Sequence, residues 1–250
     1  MNELRPIVLT VDDNQTFLGT LAVLLERMNF DVLPVTSSRD ALDLARVARP
    51  QVITLNMQMP DMDSLAFMRT LRADDELSDI PVIMITGVRE KQQVWEAMSL
   101  GCIEVLDMPL ELNRLHQALQ RCNLYPEGRR RYLRAPYAKP VEVVVSGEVL
   151  QLSGVTLSER GIMVRMPDPA PKGMPVEVLL GLPDGEKLTL GGSVIYVRSG
   201  RGGELGPPPG VAIKFDRVTI KDTEKLHAFV KDLLIGDIVA SQTEPVIKPD

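Results

Sequence analysis

The chain has 250 residues, 44% of them apolar and 25% charged, a balance that suits a folded protein of one large or two ordinary domains. A net charge of −6 argues against a general nucleic-acid coat, and no apolar run is long enough to span a bilayer. Two cysteines, Cys102 and Cys122, and two histidines, His116 and His227, are too few and too scattered for a metal cluster, a disulfide framework or a Ser-His-Asp enzyme.

From the N-terminus, short apolar runs alternate with amphipathic stretches. "IVLTV" (7–11), "DVLPV" (31–35), "QVITL" (51–55), "PVIMI" (81–85) and "CIEVL" (102–106) read as strands. Between and after them, 15–29, 38–48, 64–74, 90–100 and 112–122 place apolar residues at helical spacing. Five strand–helix repeats predict a parallel sheet covered on both faces, with 7–11 and 81–85 as interior strands. The start of the chain has no signal-peptide layout, because Asp12 and Asp13 interrupt its apolar segment, so a cytoplasmic location is expected.

The pattern changes at "NLYPEGRRRYLRAP" (123–136), read as a linker over 123–128 followed by a basic lead-in. Six short strands follow: "VEVVV", "EVLQLSGVTL", "GIMVRM", "VEVLLGL", "KLTLGGSVIYV" and "GVAIKF", punctuated by "SG", "PDG" and "PPPG". They predict an antiparallel β-barrel or sandwich. An amphipathic helix over 221–234 is expected to plug or cover it, and 237–250 to form a weakly ordered tail.

Ligands of an open α/β sheet bind at the carboxyl ends of its strands. There the chain places Asp12 and Asp13, Asn56, Thr86 and Met108–Pro109. With "TVDDN", "LNMQMPDMDSL", "VIMITG" and "GCIEVLDMPL" in register, residues 1–122 resemble the receiver domain of response regulators. The resemblance implies a flavodoxin-like fold of five parallel strands and five helices. It also implies a pocket with an acidic pair for Mg²⁺, an aspartate that accepts a phosphoryl group, a hydroxyl and a lysine. Asp12, Asp13 and Thr86 match. Asn56 stands at the acceptor position and Met108 at that of the lysine. A neutral amide is a poor nucleophile, and a lysine without its facing carboxylate would be poorly compensated, so the two replacements form a matched loss. The expectation is a pseudo-receiver that is not phosphorylated and binds Mg²⁺ weakly or not at all. Asp61 and Asp63 are read as turn and capping residues. By the same resemblance, a protein partner docks around 90–120, where the single Trp95 is taken as a packing residue; a second copy of the chain is a further candidate.

In the second half, Arg130 and Arg134 are four apart, and "TLSERG" (156–161) lies at a turn between two predicted strands. Together they resemble the PilZ domain, over 129–236, whose motifs are RxxxR and D/NxSxxG. Ser158 and Gly161 match the second motif, with Thr156 in place of its acidic or amide residue. The resemblance implies cyclic di-GMP as ligand at Arg130, Arg134, Thr156, Ser158 and Gly161. Arginine forks suit its phosphates and guanine edges. Losing one hydrogen bond at Thr156 costs on the order of 1 kcal/mol. The expected protein is a non-enzymatic bacterial signalling adaptor, relaying to motility, polarity, pili or exopolysaccharide partners without contacting nucleic acid. The alternative is a nucleotide-independent scaffold with both domains degenerate.

Overall fold

Ile7–Val11 forms β1, followed by α1 (Gln15–Arg27), β2 (Asp31–Val35), α2 (Ser38–Ala48), β3 (Val52–Asn56), α3 (Ser64–Ala73), β4 (Val82–Thr86), α4 (Lys91–Ser99), β5 (Cys102–Asp107), the two-residue β6 (Leu110–Glu111) and α5 (Leu112–Arg121). This is a computed structural model that describes residues 5–124, 132–198, 208–242 and 246–249. The chain divides into two units: Met1–Arg131 with Ile235–Asp250, and Tyr132–Leu234.

The first unit holds a five-stranded sheet in the order β2-β1-β3-β4-β5, with every neighbouring pair parallel. The apolar runs sit where two-sided burial is needed: β1 and β4 are both interior strands, and every residue of β4 is buried. The first three helices, α1 to α3, begin at side-chain caps in the loops that leave the strands. Asn14 accepts from the Phe17 N–H, Ser37 from Asp40 and Asp63 from Ala66. The expected capping role of Asp63 is therefore present. Asp61 caps across the fold, accepting from the Ser37 hydroxyl at 3.0 Å and from the N–H groups of Ser38 and Arg39, each at 3.2 Å.

The second unit contains β7 (Arg134–Pro136), β8 (Pro140–Val145), β9 (Glu148–Ser158), β10 (Gly161–Arg165), β11 (Pro175–Gly181), β12 (Lys187–Arg198) and β13 (Gly210–Arg217). The strands β8 to β13 close an antiparallel six-stranded barrel, because β10 pairs with both β9 and β13, and β7 adds to the outside of β9. The "SG" between β8 and β9 turns as Ser146 (φ 53) and Gly147 (φ 86), the two positive angles of the hairpin turn whose twist matches its strands. Alternate residues such as Val141, Val143, Val178, Leu180, Leu188, Leu190, Ile213 and Phe215 are buried in the barrel. The helix α6 (Ile220–Ser241) buries Leu226, Phe229, Val230 and Leu234, and the Phe229 ring meets Tyr137 edge-on at 6.0 Å.

The expected tail boundary at 236 falls inside α6. From Ile235 onward the chain belongs to the first unit. There Asp237 takes both terminal nitrogens of Arg27, at 2.6 and 2.7 Å, and this pairing holds its carboxyl down at about 2. Val246 accepts from the Leu110 N–H at 2.8 Å, β14 (Ile247–Lys248) runs parallel to β6, and Ile247 is buried. Residues 237–242 and 246–249 are thus structural parts of the first unit rather than a weakly ordered tail. Ile238 and Ile247 are buried there. The expected linker over 123–128 lies outside the described residues from 125 onward.

Candidate functional site

Asp12, Asn56, Thr86 and Met108 lie at the carboxyl ends of β1, β3, β4 and β5, four consecutive strands of the sheet. Backbone bonds knit these ends together: Met57 N–H to Ile85 O at 2.9 Å, and Met108 N–H to Thr86 O at 2.8 Å. The Asn56 side chain is oriented by its own loop, since its Oδ1 accepts from the Gln58 N–H at 3.0 Å. That leaves Nδ2 to donate to Asp13 Oδ1 at 3.2 Å. An N–H therefore points at the carboxylate that a cation would need. Two carboxylates and an amide turned donor-first do not fit Mg²⁺, which asks for oxygen ligands in near-octahedral array.

The Thr86 hydroxyl is also engaged. It donates to the Val88 carbonyl at 2.6 Å and accepts from the Val88 N–H at 3.1 Å, fastening the loop after β4. The same loop is tied by Arg89, which pairs with Asp107 at 2.6 Å, one residue before Met108. Sequence reasoning missed Arg89 and Asp107. The acidic residue ahead of "MP" was the available signal.

Asp12 is buried, and its Oδ1 accepts from the Asn14 N–H at 2.8 Å. Burial pushes its carboxyl above the ordinary value, and the neighbouring Asp13 adds to this. A raised value means that the folded state holds the proton more tightly than the unfolded chain. Asp12 then disfavours folding increasingly as pH rises from the ordinary carboxyl range through the raised value, and fully above it. Asp12→Asn keeps an acceptor for Asn14 and removes the charge. Thermal melts should show the variant more stable than wild type at pH 7, an advantage that shrinks as pH falls into the ordinary carboxyl range.

In the second unit, β7 pairs with β9 so that Arg134 lies opposite Ser158, Ala135 opposite Leu157 and Pro136 opposite Thr156. Ala135 and Leu157 are buried in the barrel, so by strand alternation Arg134, Pro136, Thr156 and Ser158 share the opposite face, where Arg134 and Pro136 are exposed, Thr156 is half-buried and Ser158 is buried. The structure thus brings Arg134 and Ser158 side by side and places Thr156 one step along the same face. Arg130 lies outside the described residues. The Ser158 hydroxyl donates to the Gly161 carbonyl at 3.1 Å and accepts from the Arg160 N–H at 3.4 Å, bracing the turn into β10. At Gly161 an added Cβ would lie 2.3 Å from the Ile213 carbonyl oxygen, so this glycine permits the close approach of β10 to β13. His227 is read from sequence as a helix-surface or packing residue. Its Nδ1 sits 2.9 Å from Glu159, beside the motif serine.

Along the chain, an open α/β unit precedes a closed antiparallel β-barrel. Residues 8–120 match the response regulator receiver domain and residues 128–232 match the PilZ domain. The chain is a receiver domain followed by a PilZ domain. It is 29% identical over 113 residues to the polar-differentiation response regulator DivK of Brucella anthropi, a match that covers 45% of this chain and 92% of that protein. The protein of the same name from Brucella ovis is 28% identical over the same length and coverage. Among solved structures, the chemotaxis response regulator CheY4 of Vibrio cholerae matches at 26% identity with a TM-score of 0.44, over 47% of this chain and 98% of that one.

Proposed function

We propose that this protein is a phosphorylation-independent adaptor whose input is cyclic di-GMP, bound on the outer face of the β7–β9 ladder. The observation that carries this reading is the register that sets the exposed Arg134 opposite the buried Ser158, both on the face turned away from the barrel core. The arginine fork would take a phosphate or a guanine edge, and Thr156 one step along would offer a hydroxyl. Arg130, four residues ahead of Arg134, completes the arginine motif in this reading.

The receiver pocket supports an input other than phosphate. Asn56 donates to Asp13, Asp61 is spent on α2, Asp63 caps α3 and the Thr86 hydroxyl is held by Val88. What remains for this domain is docking of a protein partner around 90–120. Trp95, expected as a packing residue, is instead 72% exposed, with Met98 on the same helix and Val88 ahead of it also exposed. A cluster of exposed large apolar side chains suits a protein interface. The kinship of the receiver half with polar-differentiation regulators supports an output in polarity or motility, inside the cytoplasm.

Calorimetry with cyclic di-GMP tests the reading. Wild type should bind at micromolar protein, and Arg134→Ala should bind about 10–100-fold more weakly, as expected for a lost charge-assisted contact. Absence of heat from a folded wild-type sample would favour the scaffold reading, for which the observation is Thr156, facing Pro136 and lacking a carboxylate or amide.

A further inference from the structure

On one face of an antiparallel pair, cross-strand partners recur every two residues. Pro136 with Thr156 and Arg134 with Ser158 are two such steps on the outer face. Two residues further out on each strand come Tyr132 and Arg160, and these side chains meet: the Arg160 guanidinium carbon lies 5.3 Å from the centre of the Tyr132 ring. That is within the range at which a cation is attracted by an aromatic face. Arg160 is the second of the two residues that join β9 to β10. Its turn is braced by the Ser158 hydroxyl from within and, through Glu159, by His227 of α6. With the Glu159 carboxylate directed at His227, the exposed Arg160 is presented over a ring.

We infer that Arg160 is a third arginine of the nucleotide site and that Tyr132 is the platform that holds it ready for a ligand phosphate. The inference rests on the reading of the β7–β9 face as a cyclic di-GMP site. A guanidinium stacked by its flat face keeps its N–H edges free, and those edges make the paired hydrogen bonds to a phosphate. The tyrosine thus restricts the side chain beforehand without occupying its donors, which lowers the ordering cost on binding. The outer face then carries a row of pairs, 132 with 160, 134 with 158 and 136 with 156, with a cation on alternate strands in the first two.

The test is calorimetry with cyclic di-GMP on the full chain, for wild type, Arg134→Ala, Arg160→Ala, Arg160→Lys and Tyr132→Leu, with thermal melts of each. Arg160→Ala should weaken binding about 10–100-fold. Arg160→Lys should recover only part of that loss, because it restores charge but not the fork. Tyr132→Leu should weaken binding about two- to fivefold. The melts should stay within a degree or so of wild type. Arg160→Ala binding as tightly as wild type, while Arg134→Ala binds weakly, would overturn this inference and leave the proposed function standing. Arg160→Ala losing affinity only in step with a large drop in melting temperature would also overturn it. No heat from wild type would overturn both.

Discussion

Gly161→Ala should melt the barrel unit on the order of 15 °C below wild type, a loss of about 3 kcal/mol. The added methyl would stand 2.3 Å from the Ile213 carbonyl oxygen and 3.3 Å from the Lys214 Cα, both backbone atoms, so no side chain can swing aside. Gly161 sits opposite Lys214 in the β10–β13 pair that helps close the barrel, so the two strands must separate or shift. Circular dichroism melts of the full chain, resolved into the two units, check this. A variant that melts like wild type but binds cyclic di-GMP more weakly would instead make Gly161 a residue of ligand approach alone.

Asn56→Asp should destabilise the receiver unit by about 2 kcal/mol in metal-free buffer, and millimolar Mg²⁺ should restore it. The substitution replaces the Nδ2–H that Asp13 accepts with a second oxygen facing it, beside the buried Asp12 carboxyl that is already pushed up by burial. Three carboxylates then share the ends of β1 and β3. Wild type, with the amide in place, should show no response of its melting temperature to Mg²⁺. Scanning fluorimetry of both proteins with and without Mg²⁺ reads the difference directly. Equal melting of the two proteins without metal would contradict the role given to the Asn56–Asp13 bond.

Much of this molecule is legible from residue order. The five strand–helix repeats and the six barrel strands declare themselves because their apolar residues recur with the period of each element. Asn56 and Met108 stand out only because the resemblance to receiver domains assigns an acceptor aspartate and a lysine to those strand-end positions. What stayed hidden depends on contacts between distant segments. The two-residue β6 and β14 carry no periodic signal, so their pairing through Leu110 and Ile247 could not be anticipated. Gly161 belongs by spacing to a ligand motif, yet its need for a missing side chain comes from β13, some fifty residues away. Arg160 and Tyr132 looked like unassigned positions inside two motifs until the β7–β9 register brought them together. Trp95 was misplaced because composition favours burying a lone tryptophan, whereas the helix carrying it turns that ring outwards.

The central claim is that cyclic di-GMP enters through the outer β7–β9 face and that the receiver pocket takes no part. Amide hydrogen exchange of the full chain, with and without saturating cyclic di-GMP, tests it most directly. The account predicts added protection over 132–136 and 156–161, with the strand ends around Asp12, Asn56 and Thr86 unchanged. No change at 132–136 and 156–161, or protection confined to the receiver pocket, would contradict it.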